Sequence, residues 1–177
     1  PCPNGTFSTN GTGACTDVDP GKQAEKSGAY VSTGAVNQAS CSDGHYNLNG
    51  DGPCIEVAAG YVASTSSAAT NTQATCSTAQ CTHTAPCPDG SFKSAAGAGS
   101  CTDIADGKFG SRNGYTYIGE GATMQEECHA GHINSNGNGD CEVVPAGYVA
   151  SDSINASDTE TDCSTSTCRA AAPCSAG

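Results

Sequence analysis

The sequence is short of almost everything that builds an ordinary hydrophobic core. In 177 residues it has one Leu, five Ile, eight Val, three Phe and no Trp. A chain this poor in large apolar side chains, with high net charge, stays disordered unless something other than burial holds it. The 36% of residues that count as hydrophobic are mostly Ala and Cys, and Ala buries little area. Cations are scarce too, six Lys and Arg against 18 Asp and Glu, for a net charge of −12. That excludes the basic footprint of a nucleic-acid binder and the polybasic patch that holds a protein to anionic lipid. No run of 18 apolar residues exists, so no segment reads as a membrane-spanning helix. Amphipathic 3.6-residue periodicity is missing, and so is a G-x-S-x-G nucleophile elbow.

What the chain has instead is 13 Cys. Cysteine this dense in so polar a sequence implies staples made in an oxidising compartment, hence an extracellular or cell-surface protein. The cysteines fall at 2, 15, 41, 54, 76 and 81, then at 87, 101, 128, 141, 163 and 168, then at 174. The second six follow the first at offsets of 85, 86 and then 87 residues. Residues 128–168 match residues 41–81 at 22 of 41 positions without a gap. The chain therefore carries a tandem repeat. Its expected divisions are 1–85, 86–172 and the start of a third repeat at 173–177. Each repeat divides again: 2–15 and 41–54 share C-x-x-G-x-[FY] with a second Cys at the same distance. After the second Cys come CTDVDPG, CIEVAAG, CTDIADG and CEVVPAG.

The expected fold is small, disulfide-rich and mostly β or irregular. It is an elongated tandem array of units of about 87 residues, each of two half-modules of about 39, with stacking replacing a private core. Strand-like phrases flanked by turn residues lie at 29–32, 60–63, 115–118 and 147–150. The repeated loops motivate nearest-neighbour pairs: Cys2–Cys15, Cys41–Cys54, Cys76–Cys81, Cys87–Cys101, Cys128–Cys141 and Cys163–Cys168. Six cysteines still allow 15 connectivities. Cys174 is the odd one, and its repeat-equivalent partner falls outside the chain; a plain tail thiol is the alternative. With Pro1-Cys2 at a repeat boundary and no Met, the chain reads as a mature or excised piece.

CPNGTFS at 2–8 and CPDGSFK at 87–93, each followed by a Gly and a second Cys, resemble the C-P-x-G-T-[YF] repeats of ephrin-receptor-like cysteine-rich modules. Similar repeats occur in ciliate immobilisation antigens and in cysteine-rich proteins of protist surfaces and mastigonemes. The chain carries Val18, Val57, Ile104 and Val144 where such modules usually place a further Cys. The resemblance implies a structural or coat role with no chemistry attached.

The chemistry-bearing residues give little to an enzyme reading. Among the four His, His45 and His132 are repeat equivalents in G-H-x-N and read as surface ribbon or turn residues, leaving His83 and His129. Cys76 and Cys81 with His83 have a zinc-like spacing, but Ala170 replaces that His in the second repeat and the disulfide is expected. Asn47, Asn49 and Asp51, recurring as Asn134, Asn136 and Asn138, alternate like the start of a calcium loop. No Glu follows at the twelfth position, and tight turns want the same Asn-Gly and Asp-Gly steps, so a turn is the expectation and calcium the alternative. No cofactor is otherwise called for. Asn4, Asn10 and Asn155 open N-glycosylation sequons, and the Ser/Thr/Ala-rich stretches 63–78 and 150–167 suit O-linked sugar.

These readings lead to a non-enzymatic structural subunit of a glycosylated extracellular filament or surface coat, whose partners are copies of itself or continuing repeats. The alternative is an adhesion or receptor-type binding ectodomain, with Tyr115 and Tyr117 as its unrepeated aromatics.

Overall fold

A computed structural model describes residues 1–11, 13–155 and 167–174. The protein is small-stranded and largely irregular, with a single four-residue helix, Cys76–Ala79, among the described residues. Every sheet has two or three strands. Five disulfides are formed: Cys2–Cys15, Cys41–Cys54, Cys76–Cys81, Cys87–Cys101 and Cys128–Cys141. Cys168 is also disulfide-bonded, while Cys163 lies outside the described residues. Cys174 is free and exposed.

Two kinds of antiparallel pairing alternate along the chain. The first is a minimal hairpin closed by a disulfide: Thr6–Phe7 with Thr16–Asp17, His45–Tyr46 with Ile55–Glu56, Ser91–Phe92 with Thr102–Asp103, and His132–Ile133 with Glu142–Val143. The second is a longer ribbon: Lys22–Lys26 with Asn37–Ser40, Tyr61–Ser64 with His83–Pro86, Lys108–Ser111 with Met124–Glu127, and Tyr148–Ser151 with Ala170–Pro173. Ala29–Tyr30 adds a third strand to the first ribbon. It returns through Ser27 and Gly28, both at positive φ, the combination a tight two-residue hairpin turn requires.

The motif C-x-x-G has a local cause. The residue after the Gly donates its N–H to the carbonyl of the residue after the Cys: Thr6 to Pro3, His45 to Ser42, Ser91 to Pro88 and His132 to His129, at 3.0–3.2 Å. The glycine in each turn, Gly5, Gly44, Gly90 and Gly131, has a φ of 74–78°, a region costly for residues with a Cβ. Its carbonyl then accepts the N–H of Val18, Val57, Ile104 or Val144 at 2.8–2.9 Å, which ties the turn to the far strand of its own hairpin.

Contacts divide the chain into two compact units. The first is Pro1–Pro86 with Ala95–Ser100, and the second is Cys87–Ser94 with Cys101–Gly177. The first unit holds two small clusters. One is Val18, Ala24 and Ala35 with Phe7 and Val31 against it; the other is Val57, Ala63, Cys76 and Cys81 with Tyr46, Tyr61 and Ala74. The second unit has Ala150 and Cys168 with Ile133 and Val144. Val57 and Val62 are the only wholly buried side chains larger than Cys among the described residues. Cysteine, valine and alanine thus fill places that Leu and Phe fill elsewhere, and sulfur crosslinks compensate for the small apolar area.

The expected strand at 115–118 is not formed. Asn113 explains why: its Oδ1 accepts the N–H of Tyr115 at 3.2 Å and of Thr116 at 3.3 Å, bending the backbone into a local turn. Only an isolated bridge between Ser111 and Tyr117 remains.

Candidate functional site

The most distinctive feature of this structure is how the loop inside each Cys–Cys hairpin is seated. Each loop carries Gly-x-Gly: Gly11 and Gly13, Gly50 and Gly52, Gly97 and Gly99, Gly137 and Gly139. The first glycine of each pair has a positive φ, from 66° to 83°. Gly50 lies so close to the Val18 carbonyl that a Cβ would overlap it, and Gly137 lies the same way on the Ile104 carbonyl. Gly97 donates its N–H to the Val57 carbonyl at 2.7 Å.

Backbone pairs continue each seat. Gly21 N–H reaches Asn47 C=O at 2.7 Å, and Asn47 N–H reaches Cys81 C=O at 3.0 Å. In the second unit Gly107 pairs with Asn134 at 2.6 Å and Asn134 with Cys168 at 3.1 Å. Side chains complete the set. Asp89 accepts Gly139 N–H at 3.0 Å, and Gln73 accepts Gly99 N–H at 2.8 Å. The sequence predicts turns at the Asn-Gly and Asp-Gly steps of two of these loops but not their seating, for which the Gly-x-Gly recurring in all four loops is the signal.

The Asn series shapes these loops. Asn47 and Asn134 are buried. Asn47 Oδ1 accepts Gly50 N–H at 3.0 Å and its Nδ2 donates to Gly52 C=O at 3.1 Å. Asn134 does the same toward Gly137 and Gly139, at 2.9 and 3.2 Å. Asn49 and Asn136 accept the N–H of Asp51 and Asn138. The amide oxygens of Asn47, Asn49, Asn134 and Asn136 are therefore engaged as acceptors of loop N–H groups, which is how Asx turns are built. Among the described residues there is no group of three His, Cys, Asp or Glu that could hold a metal ion.

His129 and His132 line one surface cleft, and the contacts of the histidine rings are local. His45 Nδ1 lies 3.3 Å from Asp43 C=O, His132 Nδ1 lies 3.1 Å from Ala130 C=O, and His83 Nδ1 lies 2.7 Å from Thr82 Oγ1. Cys76 and Cys81 are bonded to each other, which leaves no thiolate for zinc at that pair. Asn4, Asn10 and Asn155 are all exposed. Asn4 Oδ1 accepts the Tyr30 phenol at 3.0 Å; a glycan would be carried on Nδ2. Thr12, and Ala156 and Ser157 of the third sequon, lie outside the described residues.

In the second unit a surface cleft of about 250 Å³ is lined by Phe109, Tyr115, Tyr117, His129, His132 and Asp140 among others. Tyr115 is 83% exposed. The Tyr117 phenol is pushed up to about 12 by burial, by its hydrogen bond to Asp89 and by the charges of Asp89 and Asp140. It is thus held as a neutral donor.

No helix among the described residues is long and apolar enough to cross a membrane. No family model matches the chain, and no curated protein matches it with significance.

Proposed function

We propose that the chain is a structural segment of a secreted or cell-surface assembly: two units of a tandem, disulfide-stapled array in a glycosylated filament or coat. The observation that carries this reading is the kind of interior the protein has. Buried Cys, Ala and Val occupy small separate clusters, each beside a disulfide-closed hairpin. Such a design needs an oxidising compartment. It also holds each short segment covalently, which suits a chain under tension or protease attack. The likeness to ephrin-receptor-like and immobilisation-antigen-like modules belongs to this proposal, as do glycans on Asn4, Asn10 and Asn155. Sugar and a net charge of −12 would keep neighbouring assemblies from sticking laterally.

The test is electron microscopy of material isolated from its source, with intact mass before and after enzymatic deglycosylation. Polymers, with a mass excess removed by the enzyme, are the expected result. Bare monomers would contradict both parts of the reading.

A second reading, an adhesion or ligand-binding ectodomain, draws on the exposed Tyr115 and its cleft. Screening immobilised glycans against the wild type and Tyr115→Ala decides it: binding that the substitution abolishes supports this reading, and no binding removes it.

A further inference from the structure

We infer that the cleft lined by Phe109, Tyr115, Tyr117, His129, His132 and Asp140 is a binding site for an organic ammonium cation, which it holds by aromatic rings and carboxylate. Such a site needs neither a polymer nor a glycan ligand, and so goes beyond both readings above.

Hydrogen bonds match the two units residue by residue. Gly34 N–H donates to Cys2 C=O at 2.8 Å, and Gly121 N–H to Cys87 C=O at 2.7 Å. The Tyr30 phenol donates to Asn4, and the Tyr117 phenol to Asp89. Tyr117 thus stands where the first unit has Tyr30, and Asp89 where it has Asn4. Lys22 opens one ribbon opposite Ser40 and Lys108 the other opposite Glu127, which puts Phe109 in the place of Gln23. Gly28 and Gly114 have φ of 83° and 82°. One residue separates Gly28 from Tyr30, and two separate Gly114 from Tyr117, so Tyr115 arrives with a one-residue insertion. Counted from the cysteines, His129 replaces Ser42 and Asp140 replaces Pro53. The scaffold is kept while the cleft changes, and the changes share one chemistry: two aromatic rings and two carboxylates are gained.

The new groups are held in place. Ser111 is buried, and its Oγ accepts Gly114 N–H at 2.7 Å. Asn113 Oδ1 accepts the next two N–H groups. The Tyr115 ring is therefore presented to solvent by a fixed turn, which lowers the entropy cost of binding. Asp140 Oδ1 accepts Cys141 N–H at 2.8 Å. Among the described residues the ion pairs are Lys22–Asp19, Lys108–Glu127 and Arg169–Asp106, none of which includes Asp89 or Asp140. The charges that act on the Tyr117 phenol are those two carboxylates, both negative.

A cation over a tyrosine face is attracted by the ring quadrupole, and a nearby carboxylate adds to the attraction. A neutral sugar gains nothing from that charge. A metal ion is not the occupant that fits, since no group able to hold one exists among the described residues. The cleft measures about 250 Å³. Drug-sized ligands fill about 300–1,000 Å³, so the space suits a head group or a side chain.

Amide NMR of the isotope-labelled full chain tests this, with choline chloride, Nα-acetyl-lysine amide and the neutral tert-butyl isostere of choline as probes. An ammonium probe should shift the amides of Tyr115, Tyr117, His129 and His132 saturably, and the isostere should not. Whichever ammonium probe binds tighter separates a free quaternary ammonium compound from a lysine side chain of a partner. Tyr115→Ala and Asp140→Asn should each weaken binding at least about threefold. Asn at 140 keeps the acceptor for Cys141 N–H, and an unchanged spectrum away from the cleft shows that each variant folds. Asp103→Asn, at an exposed position of the same unit, should leave binding unchanged, and added salt should weaken it. No saturable shift with either cation, equal binding of the isostere, or binding indifferent to both cleft substitutions would overturn the inference. Glycan binding that Tyr115→Ala abolishes, without ammonium binding, would also overturn it while leaving the ligand-binding reading standing.

Discussion

Residues 57–62 and 144–149 share Val, Ala, Gly, Tyr and Val at five of six positions, yet they end in different surroundings. Val57 and Val62 are 0% exposed; Val144 and Val149 are half-buried, and Tyr148 is exposed where Tyr61 is not. Both stretches lead into the same antiparallel ribbon, Tyr61–Ser64 with His83–Pro86 and Tyr148–Ser151 with Ala170–Pro173. The difference is what lies over them. Gly97 and its loop are seated on Val57, and no described loop is seated on Val144. Val57 thus has the Gly97 loop over it in addition to its own cluster of Ala63, Cys76 and Cys81.

The comparison can be broken most severely at the crosslinks. Replacing Cys41 and Cys54 together by Ser should cost about 3 kcal/mol, the entropy of opening a loop of this length. The same change at Cys128 and Cys141 should cost about as much, and denaturant unfolding measures both. A loss under about 1 kcal/mol at either pair would show that the loops hold without sulfur.

The loop seat comes next. Gly50→Ala places a Cβ on the Val18 carbonyl, so it should cost about 2–3 kcal/mol from overlap and positive φ together. Gly11→Ala meets nothing and should cost only the backbone term of about 1 kcal/mol. Equal effects would show that the seat contributes no stability.

The valines sharpen the comparison further. Val57→Ala should lower stability by about 2 kcal/mol and Val144→Ala by about half that, because a half-exposed site leaves a smaller cavity. Thermal melts of the two variants decide the order.

Tyr117 gives the smallest effect. Its phenol is held neutral up to about 12 against an ordinary 10.0. The folded state therefore binds the proton more tightly, and the stabilisation is full below pH 10 and lost as pH rises toward 12. Tyr117→Phe should flatten the fall in stability over that window. An unchanged pH profile would remove the Asp89 hydrogen bond from the account.

The sequence was informative where a residue type has one geometric use. The Asn-Gly and Asp-Gly steps at 49–52 and 136–139 are expected as turns and have glycines at positive φ, and Tyr61-Val62-Ala63 is a strand in the structure. It was silent on Lys22–Lys26 and Met124–Glu127. Those ribbons are polar, and their pairing is fixed by turns and caps: Gln38 accepts Asp19 N–H, and Gln125 accepts Ala105 N–H, at 2.9 and 3.0 Å. Such long-range caps leave no hydrophobic period to read. Tyr115–Ile118 misled in the opposite direction, because β-propensity there is overridden by the Asn113 side chain. The loop seats were missed because glycine contacts are made by backbone, which composition does not reveal.

Hydrogen exchange on intact protein and on reduced, alkylated protein tests the central claim most directly. In the intact chain the amides of Gly21, Asn47, Gly97, Gly107 and Asn134, all bonded to carbonyls of distant residues, should be protected. After reduction that protection should vanish at every one of them. Slow exchange persisting at these amides in the reduced chain would mean that the fold stands on packing alone, and would contradict the account.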